Sequence, residues 1–287
     1  LCPGRKVMAH TVYTLEWTIT NSEIAQASPA ISIEADGTAR FMKLAVEKPG
    51  TDLFGVPNGA DPLLFVVPIF QTRSIVQSTL HGGALNTITV TIMTNVDLAG
   101  TNDNIMICCL SNADVNSTSL SVAVSGSGGV AAPQFCSDGG DNAGQASWDR
   151  SAYSLTLYVC PGSKVSSFEE FSVSFNVTNP IISQSSPEVT ISASGSVRIP
   201  TVAMEKPSYT GELVHGVGDV TDVMRVVVPE FTIKQMGQSS PFSDQENILT
   251  VTLQSAFDLS DTYSSRVTIS NLQGAIITGN KVLLISG

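Results

Sequence analysis

Few residues in this chain have the type and spacing to carry chemistry: five cysteines, three histidines, some acidic groups and two Asn-x-Ser/Thr triplets. Cys136 and Cys160 are expected to form a disulfide across a separation of 24 (160 − 136); two buried thiols are the alternative. Cys108-Cys109 carries no assigned role. His10, His81 and His215 have no acid or nucleophile partner at a spacing that makes a catalytic or metal-binding set, so they read as surface or structural residues. Asp36-Gly37, Asn102-Asp103-Asn104, the group Asp138, Asp141 and Asp149, and the pair Asp219 and Asp222 offer oxygens that suit calcium. None has the spacing of a calcium loop, and they read as solvated turn acids. No catalytic residue, metal or cofactor is expected, and the chain reads as a non-enzyme. Asn116-Ser117-Thr118 and Asn176-Val177-Thr178 are N-glycosylation signals.

Composition narrows the setting. Charged residues are 14% of the 287, and the net charge is −11. That share lies well below the roughly 25% of ordinary globular domains, so Ser, Thr, Asn and Gly must supply much of the polar surface, as in secreted, glycosylated proteins. The negative balance disfavours nucleic acid and anionic lipid headgroups as partners. No apolar run reaches the roughly 18 residues of a spanning helix, so no membrane insertion is expected of this segment. An extracellular or cell-surface location is expected.

These residues are carried by a stretch that occurs twice. Cys2-Pro3-Gly4 returns as Cys160-Pro161-Gly162, Thr20-Asn21 as Thr178-Asn179, and Glu47-Lys48-Pro49 as Glu205-Lys206-Pro207, always 158 positions on (160 − 2, 207 − 49). Residues 2–49 and 160–207 share 19 identities in 48 places without a gap. Gln77-Ser78 then matches Gln238-Ser239, and Asn86-Thr87-Ile88-Thr89-Val90-Thr91 matches Asn247-Ile248-Leu249-Thr250-Val251-Thr252, now 161 apart (238 − 77, 247 − 86). A repeat of about 160 residues follows, and the chain is expected to be a segment of a longer tandem array that begins partway through a unit. Cys2 takes the place of Cys160, whereas Cys108-Cys109 aligns with Ser270-Asn271 and is no property of the repeat. His10 and His81 align with Phe168 and Phe242. With no polar cluster preserved between the copies, repetition favours architecture over catalysis.

The elements that must position these residues are strands. Tyr13, Leu15, Trp17 and Ile19 alternate with Thr14, Glu16, Thr18 and Thr20, and Phe171, Val173, Phe175 and Val177 keep the same phase. Each series predicts a half-buried antiparallel strand, with Asn176 on the outward face. Asn21 and Asn179-Pro180 end these strands, and Ile31/Ile33 and Val189/Ile191 give the next ones an inward face. Strands are predicted over residues 63–70 and 223–231, where Pro68 and Pro229 place them at a sheet edge or bulge. Ile88/Val90/Ile92 and Leu249/Val251/Leu253 point inward on the next pair, and residues 105–110, 120–124, 155–159, 267–272 and 282–285 supply more. Residues 126–147 resemble a linker in composition, which the Cys136 to Cys160 bridge would fold into a domain. No window shows a helical period. The fold class expected is all-β, an antiparallel β-sandwich.

Asn86-Thr87-Ile88-Thr89-Val90-Thr91, Ser137-Asp138-Gly139 with Ser147-Trp148-Asp149, Thr178-Asn179-Pro180 with Gln184-Ser185-Ser186-Pro187, and Val202-x-x-Glu205-Lys206-Pro207 together resemble the recurring unit of very large secreted or cell-surface tandem-repeat proteins of microalgae. The resemblance spans essentially the whole chain. It implies tandem Ig-like sandwiches in an extracellular fibre such as a flagellar-hair or cell-coat filament. The frame expected is a truncated repeat at 1–49, a complete repeat at 50–207 and the leading strands of the next at 208–287; the alternative frame is 1–126 and 127–287. The function expected is structural, with neighbouring repeats, copies of the chain itself and glycans as partners. An adhesin or carbohydrate-binding array is the alternative; with Trp17 predicted inward, Trp148 and Tyr263 are left as its aromatic platform.

Overall fold

Alternation of β-branched residues with hydroxyl residues makes the longest strand. In Leu-Asn-Thr-Ile-Thr-Val-Thr-Ile-Met-Thr every second side chain from Asn86 to Thr94 is buried and those between are half-buried, as stiff branched side chains favour on a pleated surface. The computed structural model describes residues 4–274 except 101, 127–132, 138–141, 212, 215 and 261–263. Among the described residues the regular structure is all strand: β1 (Ser32–Ala35), β2 (Phe41–Ala45), β3 (Phe70–Gln77), β4 (Leu85–Thr94), β5 (Asn104–Cys108), β6 (Ser119–Ser121), β7 (Ala123–Gly126), β8 (Phe135–Cys136), β9 (Gln145–Asp149), β10 (Ser154–Val159), β11 (Phe171–Thr178), β12 (Thr190–Ser194), β13 (Ile199–Ala203), β14 (Phe231–Gln238) and β15 (Leu249–Ser255).

One sheet runs β3-β4-β11-β7; the larger one runs β13-β12-β5-β10-β9-β6, with β8 also on β10. β1-β2 and β14-β15 stand as separate hairpins. Every strand pair is antiparallel. Both larger sheets feed one hydrophobic core: Ile75, Ile88, Val90, Ile92 and Val173 enter from the first, Ile105, Ile107, Leu155, Leu157 and Ile191 from the second, all fully buried. Each such side chain stabilises the fold by about 1.5–3 kcal/mol. The result is a β-sandwich-like pair of layers. The chain changes layer at Val122, between β6 and β7, where backbone pairing passes from β9 to β11.

The open edge of β3 is covered. Ile75 N–H donates to Glu205 O at 3.0 Å, Gln77 N–H to Thr221 O at 3.0 Å and Val227 N–H to Leu80 O at 2.8 Å. The Arg73–Glu205 ion pair, 3.0 Å, closes the same seam. Glu205, Thr221 and Val227 thereby do for this edge what a further strand would do.

Several expectations need correction. Residues 11–20 form no strand and are exposed. Residues 267–272 likewise form none and are exposed, and 282–285 lie outside the described residues. The segments at 63–70 and 223–231 are strand only from Phe70 and Phe231, because Pro68 and Pro229 lack the N–H a ladder needs. Residues 126–147 contain β8 and the start of β9. At residues 171–177 the alternation holds, with Phe171, Val173, Phe175 and Val177 all buried, whereas Ile33 on β1 and Leu249 and Leu253 on β15, expected inward, are exposed.

Candidate functional site

Two polar constellations lie inside the sandwich. The first gathers the ends of β3, β4 and β11. Asn86 Nδ2 donates to Gln77 Oε1 at 3.0 Å and to Asn179 Oδ1 at 2.8 Å, while Asn86 Oδ1 accepts from Ser78 N–H at 3.1 Å and Thr79 N–H at 3.3 Å. Asn179 Nδ2 donates to the Thr79 and His81 carbonyls at 3.2 and 3.0 Å. Gln77 Nε2 donates to the Val220 and Arg225 carbonyls at 3.1 and 2.9 Å. All three residues are buried. Carboxamides neither titrate nor attack, so this cluster positions the backbone. It corrects the expectation that the copies preserve no polar cluster: Gln77, Asn86 and Asn179 match Gln238, Asn247 and Asn21. A polar identity at an inward strand position was the signal.

The second centres on Asp103, fully buried. Its carboxylate accepts from Gly100 N–H at 2.7 Å, Ser196 N–H at 2.5 Å and Ser196 Oγ–H at 2.8 Å. Three donors aimed at one carboxylate hold the 100–103 turn to the β12-β13 turn, the reverse of a solvated acid offered to a cation. Of the other acids that suit calcium, Asp36, Asp149 and Asp219 are exposed and Asp222 is half-buried. Asp149 Oδ1 accepts from Ser151 Oγ–H at 2.7 Å and Ser151 N–H at 2.8 Å; these bonds hold its carboxyl below the usual range. Asp219 pairs with Arg225 at 3.3 Å, and Asp36 accepts from Gly37 N–H. Asp138 and Asp141 lie outside the described residues.

Cys136 and Cys160 form a disulfide, with Cα atoms 5.2 Å apart. It ties β8 to the end of β10 beside the bridges Tyr158↔Cys136 and Val159↔Phe135. Cys108 and Cys109 are free and half-buried. Burial, then the hydrogen bond and charge of Cys109, pushes the Cys108 thiol up to about 11, so it is a poor nucleophile at neutral pH.

Asn116 sits in an exposed bend, and Asn176 is exposed on β11, where its Oδ1 accepts from Thr87 Oγ–H at 2.8 Å. Thr89 with Ser174 and Thr91 with Ser172, each at 3.0 Å, extend this row of cross-strand hydroxyl pairs. His10 is exposed. His81 stacks on Phe257 with centroids 5.4 Å apart, and His215 lies outside the described residues. An open cleft of about 540 Å³ runs between residues 183–186 and 222–227, with Lys206, Asp222 and Arg225 on its walls.

The tryptophans exchange their expected places. Trp148 is buried in the core, 4% exposed, and cannot serve as a sugar platform; Trp17 is 78% exposed. Tyr263 lies outside the described residues. Trp148 alternates inward from β9, a strand hidden by its linker-like composition. Among the described residues no strand pairs with the segment that carries Trp17. Set against protein-family models and against curated proteins, the chain finds no match.

Proposed function

We propose that this chain is a structural, non-enzymatic segment of an extracellular, glycosylated filament or cell-surface fibre, built from tandem Ig-like sandwich units of about 160 residues. The observation that carries this reading is local geometry recurring at the two sequence offsets. Gly37 and Gly195 take φ of 128° and 127°, and Gly55 and Gly216 take 71° and 78°. Gln26 N–H donates to Phe65 O at 3.0 Å as Gln184 N–H does to Val226 O at 2.9 Å. β1-β2 repeats the register of β12-β13, with Ser32↔Ala45 answering Thr190↔Ala203. What the copies share is shape and backbone pairing, which an array needs and a catalyst does not.

The unit boundaries fall at the proline-rich connections, with 50–207 as the complete unit. The disulfide and the core support this frame, and Val223 and Met224, also in the core, carry the packing a little past it. Asn116 and Asn176 are the glycan sites, and neighbouring units and further copies are the partners. Electron microscopy of native material tests the reading, together with intact mass before and after deglycosylation. A regular axial spacing of one or two units with sugar mass on these two peptides is expected. Isolated particles without periodicity would overturn it.

A further inference from the structure

Two exposed apolar strand sequences in this chain are the halves of a contact that the sandwich already makes. β11 lies on β4 with Phe171↔Ile92, Val173↔Val90 and Phe175↔Ile88 in register, and all six side chains are buried. β15 is the counterpart of β4, and residues 13–20 are the counterpart of β11. Among the described residues, β15 pairs with β14 on one edge and with no strand on the other. We propose that residues 6–21 of one copy of this chain insert beside β15 of a second copy, in the register of β11 on β4. The idea rests on the repeat reading above and names the joint between units.

The transposed register sets Tyr13 opposite Leu253, Leu15 opposite Val251 and Trp17 opposite Leu249. Leu15 is 82% exposed, and Leu249 and Leu253 are 42% and 41% exposed, whereas Val173, Ile88 and Ile92 are at most 0%. Burial of such a strand by edge addition combines ladder hydrogen bonds with alternate side-chain pockets.

Two polar marks agree with this register. Asn247 Nδ2 donates to Gln238 Oε1 at 3.0 Å, repeating half of the buried amide cluster. Asn21, at the position of Asn179, brings the acceptor that completes it. Lys164 pairs with Asp97 at 3.3 Å, and Asp97 packs beneath Gly55. Asp258 packs beneath Gly216 in the same way, and the matching lysine is Lys6. Donor and acceptor are different surfaces, so the contact is heterologous and joins copies head to tail.

Sedimentation velocity and tryptophan emission of the purified chain test the joint. Mass is expected to grow beyond dimer with concentration, with a blue shift as Trp17 is buried against the constant signal of Trp148. Trp17→Asp blocks the donor and Val251→Asp blocks the acceptor. Each variant alone is expected to stay monomeric, and their mixture to stop at a dimer, since one joint remains possible. Lys6→Glu and Asp258→Lys should each weaken association about two- to fivefold, as exposed ion pairs do, and an equimolar mixture should restore it. The positions lie outside the sandwich core, so an unchanged unfolding transition shows that the variants fold. A chain monomeric at every concentration, association that survives both blocks, or a blue shift independent of concentration overturns the proposal. If copies fail to join while native material shows the axial spacing, only the joint is wrong; joining without any spacing in native material fails the filament reading instead.

Discussion

Asn86 on β4 donates its side-chain N–H to the side-chain oxygen of Asn179, just past β11, at 2.8 Å, in a place from which solvent is almost wholly excluded. The bond joins the two central strands of one sheet at their ends, where the chain turns toward residues 220–225. Asn86→Ala strands the Gln77 and Asn179 oxygens and the Thr79 N–H, while Ser78 N–H keeps its bond to Thr87 O. Removing one partner of a buried hydrogen-bonded set costs about 1–3 kcal/mol per group left unsatisfied, so a loss of at least about 2 kcal/mol is expected. Urea titration of Asn86→Ala and Asn179→Ala measures it. A shift in midpoint indistinguishable from that of a surface substitution would show that the cluster is not structural.

Asp103 makes a second prediction. Gly195 has φ of 127°, and a Cβ there would lie 2.7 Å from Asp103 Cα. Gly195→Ala therefore combines a left-handed strain with a backbone clash, and should lower stability by about 2 kcal/mol or more. Asp103→Ala, which takes the shared acceptor from Gly100 N–H, Ser196 N–H and Ser196 Oγ–H, should lower stability as well. If the two losses add fully in the double variant, the contact between them is not what each one breaks.

The disulfide closes 24 residues, and loop-closure entropy puts its contribution near 3 kcal/mol. Thermal unfolding of Cys136→Ala/Cys160→Ala should show a correspondingly lower midpoint. Peptide maps after alkylation without reduction should leave both residues unlabelled, and labelling of both would overturn the bridge.

Cys108 should label late. Its thiol is pushed up to about 11, and the thiolate is the reactive form, so in a Cys109→Ser background alkylation should accelerate about tenfold per pH unit across the alkaline range. Burial, the larger cause, survives that substitution. Rates that plateau below pH 9 would show an ordinary, solvated thiol.

The sandwich strands were legible where alternation was clean. Phe171 to Val177 and Ile88 to Ile92 follow a period of two, and their burial matches it residue by residue. β3, β9 and β13 were not legible. Arg73 and Gln77 interrupt the apolar phase of β3, Gly and Asp runs flank β9, and Pro200 sits inside β13, an edge strand that tolerates a missing N–H. Alternation also misled: Tyr13 to Ile19 has the pattern of a buried strand, but a pattern states only what a strand would bury once a neighbour is present. The polar interior stayed hidden for a different reason. Asn179 reads as a strand terminator and Asp103 as a turn acid, and only the fold shows which backbone groups close around them.

The Cys136–Cys160 bond also governs how this chain answers a pull. Tension enters a linear molecule at its two ends and passes through every peptide bond between them unless a covalent shortcut intervenes. Here the shortcut skips 24 residues, withholding about 80 Å of contour length from any extension. Under load the layer containing β10 would give up its outer ladders while β8, β9 and β10 stay gathered at one knot, which resets the stretch available to each segment without adding a single contact.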